Sequence, residues 1–191
     1  MARMWIVLAA IAAAGAVAAA QPVVDAGTHE LQPDQPGQQI ELLVTGGQPV
    51  AGLEFYAQLP SGADGPCFQA ADVLTGTIFE GNHDQDPFAG WQSYVHSHDL
   101  YVGVATQAGT VSAAGRIVTL TVDTTGIENG TFLLQLCNDV EEAQTNFAGT
   151  EALLSDGTLV VVPEPITLAL LAGGGVALLR RRRRRSRQGR G

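Results

Sequence analysis

Basic residues are scarce between the two ends of this chain. Lysine is absent, and within residues 21–162 Arg116 is the single basic side chain beside 18 acidic ones. With histidine neutral, this segment has a net charge of −17, whereas the whole chain has −9. A surface of this charge repels nucleic acid and anionic membranes and attracts cations. The scarcity therefore argues against nucleic acid as a partner.

Familiar catalytic motifs are absent too. The sequence has no Gly-x-Ser-x-Gly, no His-Glu-x-x-His and no glycine-rich phosphate loop. Because acidic residues are so frequent, some carboxylates are neighbours by chance, and their number does not indicate an acid–base pair. We expect a non-enzymatic protein with no catalytic or cofactor-binding residues; a small secreted hydrolase is the less favoured alternative.

No apolar run reaches the ~20 residues of an ordinary transmembrane helix. The N-terminal run, Trp5 to Ala20, follows Arg3 and ends in small residues, with Ala18 and Ala20 directly before Gln21. A positive start, an apolar middle and small residues at −3 and −1 are typical of a secretory signal peptide. We predict that residues 1–20 form this signal helix and are cleaved off before Gln21. The alternative is an uncleaved anchor.

A second apolar run, residues 166–179, lies near the C-terminus. Its 14 residues give a helix of roughly 21 Å against a hydrocarbon core of about 30 Å, and Gly173–Gly175 weaken it further. Long arginine side chains extend such a span and hold its end in the cytoplasm. We therefore predict a short transmembrane helix stopped by the arginine cluster at residues 180–190, which begins with Arg180, Arg181 and Arg182.

The residues before this run complete a recognisable pattern. Pro163, Glu164 and Pro165 precede the apolar segment and the arginines, and this order resembles the PEP-CTERM sorting signal of exported bacterial proteins. The resemblance implies export by the Sec machinery, an inner-membrane intermediate anchored transiently through 166–179, and cleavage near the Pro-Glu-Pro motif by an exosortase. It also implies a final place at the cell surface or outside the cell, often in an exopolysaccharide or biofilm matrix. The alternative is a permanently anchored single-span protein.

Residues 21–162 form one domain in this interpretation. Apolar residues alternate with polar ones and turn residues separate the runs, which predicts about nine strands in an all-β, antiparallel β-sandwich or jelly roll. The predicted strands are Val23 to Leu31, Gln38 to Thr45, Leu53 to Leu59, Gly76 to Glu80, Leu100 to Val104, Ile117 to Val122, Phe132 to Leu136, and a final hairpin of Glu151 to Leu154 with Thr158 to Val162 around Asp156-Gly157.

Four segments of this domain resemble strand motifs of cohesins, in the family's order. They are Pro33 to Leu42, Val50 to Phe55, Ala114 to Val122 and Gly130 to Leu134. The resemblance implies a cohesin-like β-sandwich over residues 21–162 and, by analogy, a protein-binding module. The chain departs from the family pattern at Ala57 to Pro60, and residues 61–99 carry none of its motifs.

Cys67 and Cys137 are the only cysteines. An even number in an exported chain favours a disulfide, which would close a loop of about 70 residues and contribute roughly 4 kcal/mol in the chain-entropy model. Two free core thiols are the alternative.

Two polar stretches in the middle of the domain contain candidate metal ligands. Asn82, Asp84 and Asp86 place oxygen ligands at alternate positions, as calcium loops do, although Pro87 stands where an EF-hand requires glycine; the alternative is a polar surface loop. His96, His98 and Asp99 offer two imidazoles and a carboxylate to zinc if the stretch is extended, and otherwise form a polar strand end.

Aromatic residues make up only 6% of the chain, yet several occur close together between residues 88 and 94. Trp91 and Tyr94 could stack on sugar rings, and the alternative is that Trp91 belongs to the core. The sequence as a whole predicts an exported, exosortase-sorted structural or adhesive protein of the cell surface or extracellular matrix, with exopolysaccharide or another envelope protein as its partner. A carbohydrate-binding module and a cohesin-like protein-binding module are the alternatives.

Overall fold

The computed structural model describes residues 20–84, 94–139 and 142–162. This part of the chain is built from strands, apart from one 3-10 turn at Gly62–Asp64, which confirms the all-β prediction. The strands are β1 (Val23–Asp25), β2 (Thr28–Leu31), β3 (Gln38–Thr45), β4 (Gly52–Gln58), β5 (Cys67–Asp72), β6 (Tyr94–Val95), β7 (Asp99–Ala105), β8 (Gly115–Asp123), β9 (Gly130–Leu134), β10 (Cys137–Asn138), β11 (Ala143–Gln144), β12 (Leu153–Ser155) and β13 (Gly157–Val161).

The predicted signal helix and transmembrane helix lie outside the described residues, except for Ala20. Within the described ranges, no helix is long and apolar enough to span a membrane.

One layer is a five-stranded sheet in the order β12-β1-β3-β8-β5. Its longest pair is β3 with β8, and along β3 Ile40, Leu42 and Val44 are buried while the residues between them are exposed. The register shifts between Leu42 and Leu43, so that Ile117 has no partner on β3. Such a bulge turns two successive side chains inward, and Ile117 and Val118 are in fact both buried.

Two three-stranded sheets, β2-β13-β9 and β4-β7-β6, form the other layer. Gln58 and Gln135 join them by exchanging two backbone hydrogen bonds of 3.0 Å. As predicted from their alternation, Leu53, Phe55 and Ala57 of β4 are fully buried. All sheets with long strands contribute to one continuous apolar cluster, so the two layers enclose a single core.

The first and last predicted strands are organised differently from expectation. The segment Val23 to Leu31 is two strands, because the chain turns at Gly27 (φ +66°) and passes from one layer to the other. The end of the chain makes the same passage beside it, so β12 pairs parallel with β1 and β13 pairs parallel with β2. The predicted hairpin at Asp156-Gly157 is therefore wrong.

A close approach of two backbones explains Gly157. A Cβ atom at this position would lie 2.6 Å from the carbonyl oxygen of Gly27, so only glycine fits where the two chains cross between layers. Gly157, which suggested a tight hairpin, is thus needed for backbone packing. The sandwich is also not purely antiparallel as predicted, because β1–β12 and β2–β13 are parallel pairs.

The predicted strand Gly76 to Glu80 is also wrong. Asp72 accepts hydrogen bonds through Oδ1 from the N–H groups of Leu74 (2.8 Å) and Thr75 (2.9 Å), which starts a series of turns directly after β5. Phe79 is nevertheless fully buried and anchors these turns to the core.

The structure has Cys67 and Cys137 as free cysteines, which does not agree with the predicted disulfide. Cys67 begins β5 and lies opposite Asp123 in the five-stranded sheet, whereas Cys137 lies opposite Gln144 in a separate small hairpin. Partial burial, reinforced by nearby carboxylates, raises the pKa of both thiols. Both are therefore protonated and weakly nucleophilic at neutral pH.

Candidate functional site

The outer edge of β4 is irregular. Glu54 exchanges two backbone hydrogen bonds of 2.9 Å with Asn146, and Gln58 makes the equivalent pair with Gln135. Between these two pairs the neighbouring chain leaves the sheet to form the β10–β11 hairpin. Tyr56 lies midway between Glu54 and Gln58, where this ladder is interrupted.

The hydroxyl of Thr145 takes the place of the missing backbone. Its Oγ1 accepts a hydrogen bond from the N–H of Tyr56 (3.0 Å) and donates one to the carbonyl oxygen of Tyr56 (2.8 Å). A hydroxyl can do both because it has one donor and two lone pairs. Thr145 is 2% exposed, so these groups are shielded from water and depend on each other.

All three tyrosines of the chain lie at one level across the β4-β7-β6 sheet. Tyr56 is directly opposite Tyr101 on β7, and Tyr101 is directly opposite Tyr94 on β6. The rings of Tyr56 and Tyr101 pack with centroids 4.6 Å apart and planes inclined by 32°. Sequence reasoning selected Tyr94 but missed the other two, because only the strand pairing brings them together. Trp91 lies outside the described residues.

An open pocket of about 620 Å³ lies beside this edge. Its lining residues are mostly polar: Glu54, Gln144, Thr145, Asn146, Gly149, Thr150, Glu151 and Ala152. Within it, Asn146 Nδ2 donates hydrogen bonds to Glu54 Oε2 (2.7 Å) and to the carbonyl oxygen of Gln144 (3.2 Å). The carboxylate of Glu54 is therefore held in place before any ligand arrives.

A tight turn forms one wall of the pocket. Phe147 and Thr150 exchange two backbone hydrogen bonds of 3.0 Å, and the two residues between them, Ala148 and Gly149, both have positive φ. This is the geometry of a type I′ turn, which is compact and well defined. Phe147 is 1% exposed and fixes the turn to the core, so this wall of the pocket is firmly supported.

The predicted calcium ligands are only partly described. The side chain of Asn82 accepts a hydrogen bond from the N–H of Ala108 (3.2 Å) and donates one to its carbonyl oxygen (3.1 Å), so it joins two loops. Asp84 is exposed, and Asp86 lies outside the described ranges. Calcium binding stays a prediction.

The predicted zinc ligands do not form an extended strand. The N–H of His96 donates a hydrogen bond to the carbonyl oxygen of Asp99 (2.8 Å), which closes the turn between β6 and β7. That extended geometry, on which the two-histidine site depended, is therefore wrong. Among the residues that the structure describes, no group of three or more histidine, cysteine, aspartate or glutamate side chains could hold a metal ion.

The two ends of the domain are well anchored. The carbonyl oxygen of Ala20 accepts a hydrogen bond from the N–H of Gln48 (3.1 Å), and both Ala20 and Gln21 are exposed. At the other end, Val161 is buried and the N–H of Val162 donates to the carbonyl oxygen of Leu31 (3.0 Å). Ala18, residues 163–165 and the arginine cluster lie outside the described ranges.

Comparison with protein families identifies the C-terminal segment. Residues 161–185 match the PEP-CTERM protein-sorting motif, which confirms the resemblance seen in the sequence. The motif overlaps the last residue of β13. The chain therefore carries a sorting signal for export that begins where the folded domain ends.

The fold is similar to that of cohesins. A non-cellulosomal cohesin from the archaeon Archaeoglobus fulgidus is 15% identical, with a TM-score of 0.48, over 75% of this chain and 92% of that one. The cohesin of a type I cohesin–dockerin complex from Clostridium thermocellum is 11% identical, with a TM-score of 0.49, over 75% and 100%. The seventh ScaB type I cohesin of Pseudobacteroides cellulosolvens is 9% identical, with a TM-score of 0.49, over 76% and 94%. No curated protein matches the sequence.

Proposed function

We propose that this chain is a non-enzymatic structural or adhesive protein of the cell surface or extracellular matrix, delivered there by exosortase processing of its C-terminal tail. The observation that carries the proposal is the match of residues 161–185 to the PEP-CTERM protein-sorting motif. The signal-peptide pattern at residues 1–20 supports it from the other end of the chain.

The distribution of charge is consistent with this route. The tail holds eight of the ten arginines, while the domain between residues 21 and 162 has a net charge of −17. Before processing, arginines hold the C-terminus at the cytoplasmic side of the membrane. After processing, the strongly acidic domain is repelled by anionic lipid headgroups and remains soluble.

Substitution of the motif's prolines tests the route. In a bacterium that encodes an exosortase, Pro163→Ala combined with Pro165→Ala should leave the full-length precursor in the membrane fraction, because the segment can then continue a helix instead of staying extended. Ser186→Ala, just beyond the matched residues 161–185, is the matched control and should be processed normally. Equal processing of both variants would contradict the proposal.

A second candidate function, carbohydrate binding, is favoured by Tyr101, which is partly exposed and packs against the buried ring of Tyr56. Tyrosine rings offer apolar faces to sugar rings and hydroxyl groups to their polar edges. Tyr56 and Tyr101 form a packed pair, and Tyr94 occupies the next position in the same row. Tyr101→Ala should weaken binding of the cell's own exopolysaccharide in affinity electrophoresis, and unchanged migration of the variant would count against this candidate.

A further inference from the structure

We propose that the pocket beside Glu54 binds an uncharged pyranose unit of a polysaccharide and rejects uronic acids. The inference rests on the carbohydrate-binding function proposed above and assigns it a site and a ligand class. The pocket has about 620 Å³, a volume in the range of small-molecule sites and sufficient for a single sugar ring.

The first argument is that the polar groups of the pocket are already positioned. Glu54 and Asn146 are fixed to each other twice, by a pair of 2.9 Å backbone hydrogen bonds and by the 2.7 Å bond between their side chains. Among the described residues, only Asn146 donates a hydrogen bond to the carboxylate of Glu54, and Oε2 of Glu54 accepts it. The carboxylate thus retains acceptor capacity for a ligand, and little ordering entropy is lost on binding.

The second argument is the chemistry of the lining. Glu54 and Glu151 supply carboxylates, while Gln144, Asn146 and Thr150 bring amide and hydroxyl groups. Carboxylates are acceptors only and pair well with vicinal sugar hydroxyls, while amides and hydroxyls both donate and accept. A polyhydroxylated ring satisfies this combination without contributing any charge of its own.

The third argument is the absence of a counter-ion for an acidic sugar. Arg116 is the only arginine or lysine in residues 21–162. It pairs with Glu41 on the five-stranded sheet, whereas the pocket lies at the edge of β4 in the other layer. A uronate in the pocket would therefore face two carboxylates with no permanent positive charge to balance it, and would be repelled.

The fourth argument is the position of the tyrosine pair. Glu54 and Tyr56 are two residues apart on β4, so their side chains lie on the same face of the strand, about 7 Å apart along it. Opposite them on β7 lie Gly103 and Tyr101. Gly103 contributes no side chain between the pocket and Tyr101, which is partly exposed, so the next sugar unit along a polysaccharide can reach this ring. Tyr56 is only 8% exposed and supports the ring of Tyr101 from the side.

The test uses titration calorimetry to measure the affinity of the exported protein for two oligosaccharides of equal length, a neutral glucan hexamer and an oligogalacturonate. The neutral hexamer should bind, and the uronate should bind at least about tenfold more weakly. Glu54→Gln, which keeps the shape of the side chain, should weaken binding of the neutral hexamer about tenfold, because it removes a charged acceptor. Glu30→Gln, an exposed site on β2, removes the same charge elsewhere and should have no effect.

Each outcome decides the inference. Equal binding of the two oligosaccharides, or an unaffected Glu54→Gln variant with a normal melting temperature, overturns it. If Tyr101→Ala abolishes binding of the neutral hexamer while Glu54→Gln does not, carbohydrate binding stands and the pocket assignment falls. If neither oligosaccharide binds and the native exopolysaccharide does not either, the carbohydrate-binding function and the inference both fall, while the sorting route remains intact.

Discussion

The β3–β8 pair and the outer edge of β4 satisfy their backbones in different ways. Along β3 and β8 the ladder runs from Gln38 opposite Val122 to Val44 opposite Gly115, with one bulge. At the edge of β4 the ladder breaks around Tyr56, and one threonine hydroxyl replaces it. The regular pair forms the framework of the domain, whereas the break makes room for a hairpin and a pocket.

This difference explains why the candidate site lies where it does. A continuous ladder leaves no space between neighbouring chains, because adjacent strands are only about 4.8 Å apart. Where the chain returns to β4 at Asn146, Gln144 and Thr145 border the pocket on one side. The turn between Phe147 and Thr150 forms the other wall. The ladder can be interrupted here without a large loss of stability, because the Thr145 hydroxyl bonds to both the N–H and the C=O of Tyr56.

The largest effect should come from the framework's inner face. Leu42→Ala removes a side chain that is 1% exposed, and we expect a loss of about 2–5 kcal/mol in the free energy of unfolding. Leu43 follows it on the same strand but is 48% exposed, so Leu43→Ala should cost less than about 0.5 kcal/mol. Urea denaturation of the two variants provides the comparison; equal losses would mean that the sheet does not face the core as described.

The next effect should come from the break at β4. Thr145→Val keeps the shape of the side chain but removes the hydroxyl that bonds to both the N–H and the C=O of Tyr56, which should cost about 1–3 kcal/mol. Thr145→Ser retains the hydroxyl and should recover most of this stability. If valine and serine are equally tolerated in thermal unfolding, the hydroxyl does not replace the backbone ladder.

A smaller effect is expected on the outer face of the framework. Arg116 pairs with Glu41 and donates from Nε to the carbonyl oxygen of Gly76 (3.1 Å), which ties the turns after β5 to the sheet. Because its side chain is 27% exposed, Arg116→Gln should cost only about 1 kcal/mol. Glu41→Gln removes the pairing alone and should cost less. Greater loss from the Glu41 variant in urea denaturation would show that the ion pair, and not the tie to Gly76, matters.

The smallest effect concerns pH. Partial burial acts to raise the pKa of Asp72, but hydrogen bonds from Thr75 and Leu74 together with the charge of Arg116 outweigh it, and the pKa is lowered. A lowered pKa in the folded state means that Asp72 stabilises the fold above about pH 4 and loses this contribution as the pH falls through the folded value.

Asp72→Asn should therefore reduce the drop in melting temperature between pH 6 and pH 3. Leu42→Ala, in contrast, should lower the melting temperature at every pH without changing that drop by this mechanism. If the melting temperature of the Asp72→Asn variant has the same pH dependence as that of the unmodified protein, the carboxylate of Asp72 does not contribute to stability through its charge.

The framework could be predicted from the sequence and the crossing between layers could not. Alternation at Ile40, Leu42 and Val44 depends on one strand only and reports which face is buried. The passage from one layer to the other at Gly27 depends on a segment more than 120 residues further along the sequence, where Gly157 lies close to Gly27. A glycine needed for a close approach looks the same in the sequence as a glycine needed for a tight turn, so Asp156-Gly157 suggested a hairpin.

The candidate site was even less accessible to sequence reasoning. Tyr56 and Thr145 are 89 residues apart and are joined by the side chain of a residue that belongs to no motif. The alternation of Leu53, Phe55 and Ala57 did indicate which face of β4 is buried. Which chain would pair with that strand, and where the pairing would stop, is decided by tertiary packing.

The most direct test of the proposed sorting route is the intact mass of the protein collected from the cell surface or the medium. The account predicts a chain that begins at Gln21 and ends near Pro163–Pro165, without the arginine cluster. An extracellular form that still carries residues 180–191 would contradict it.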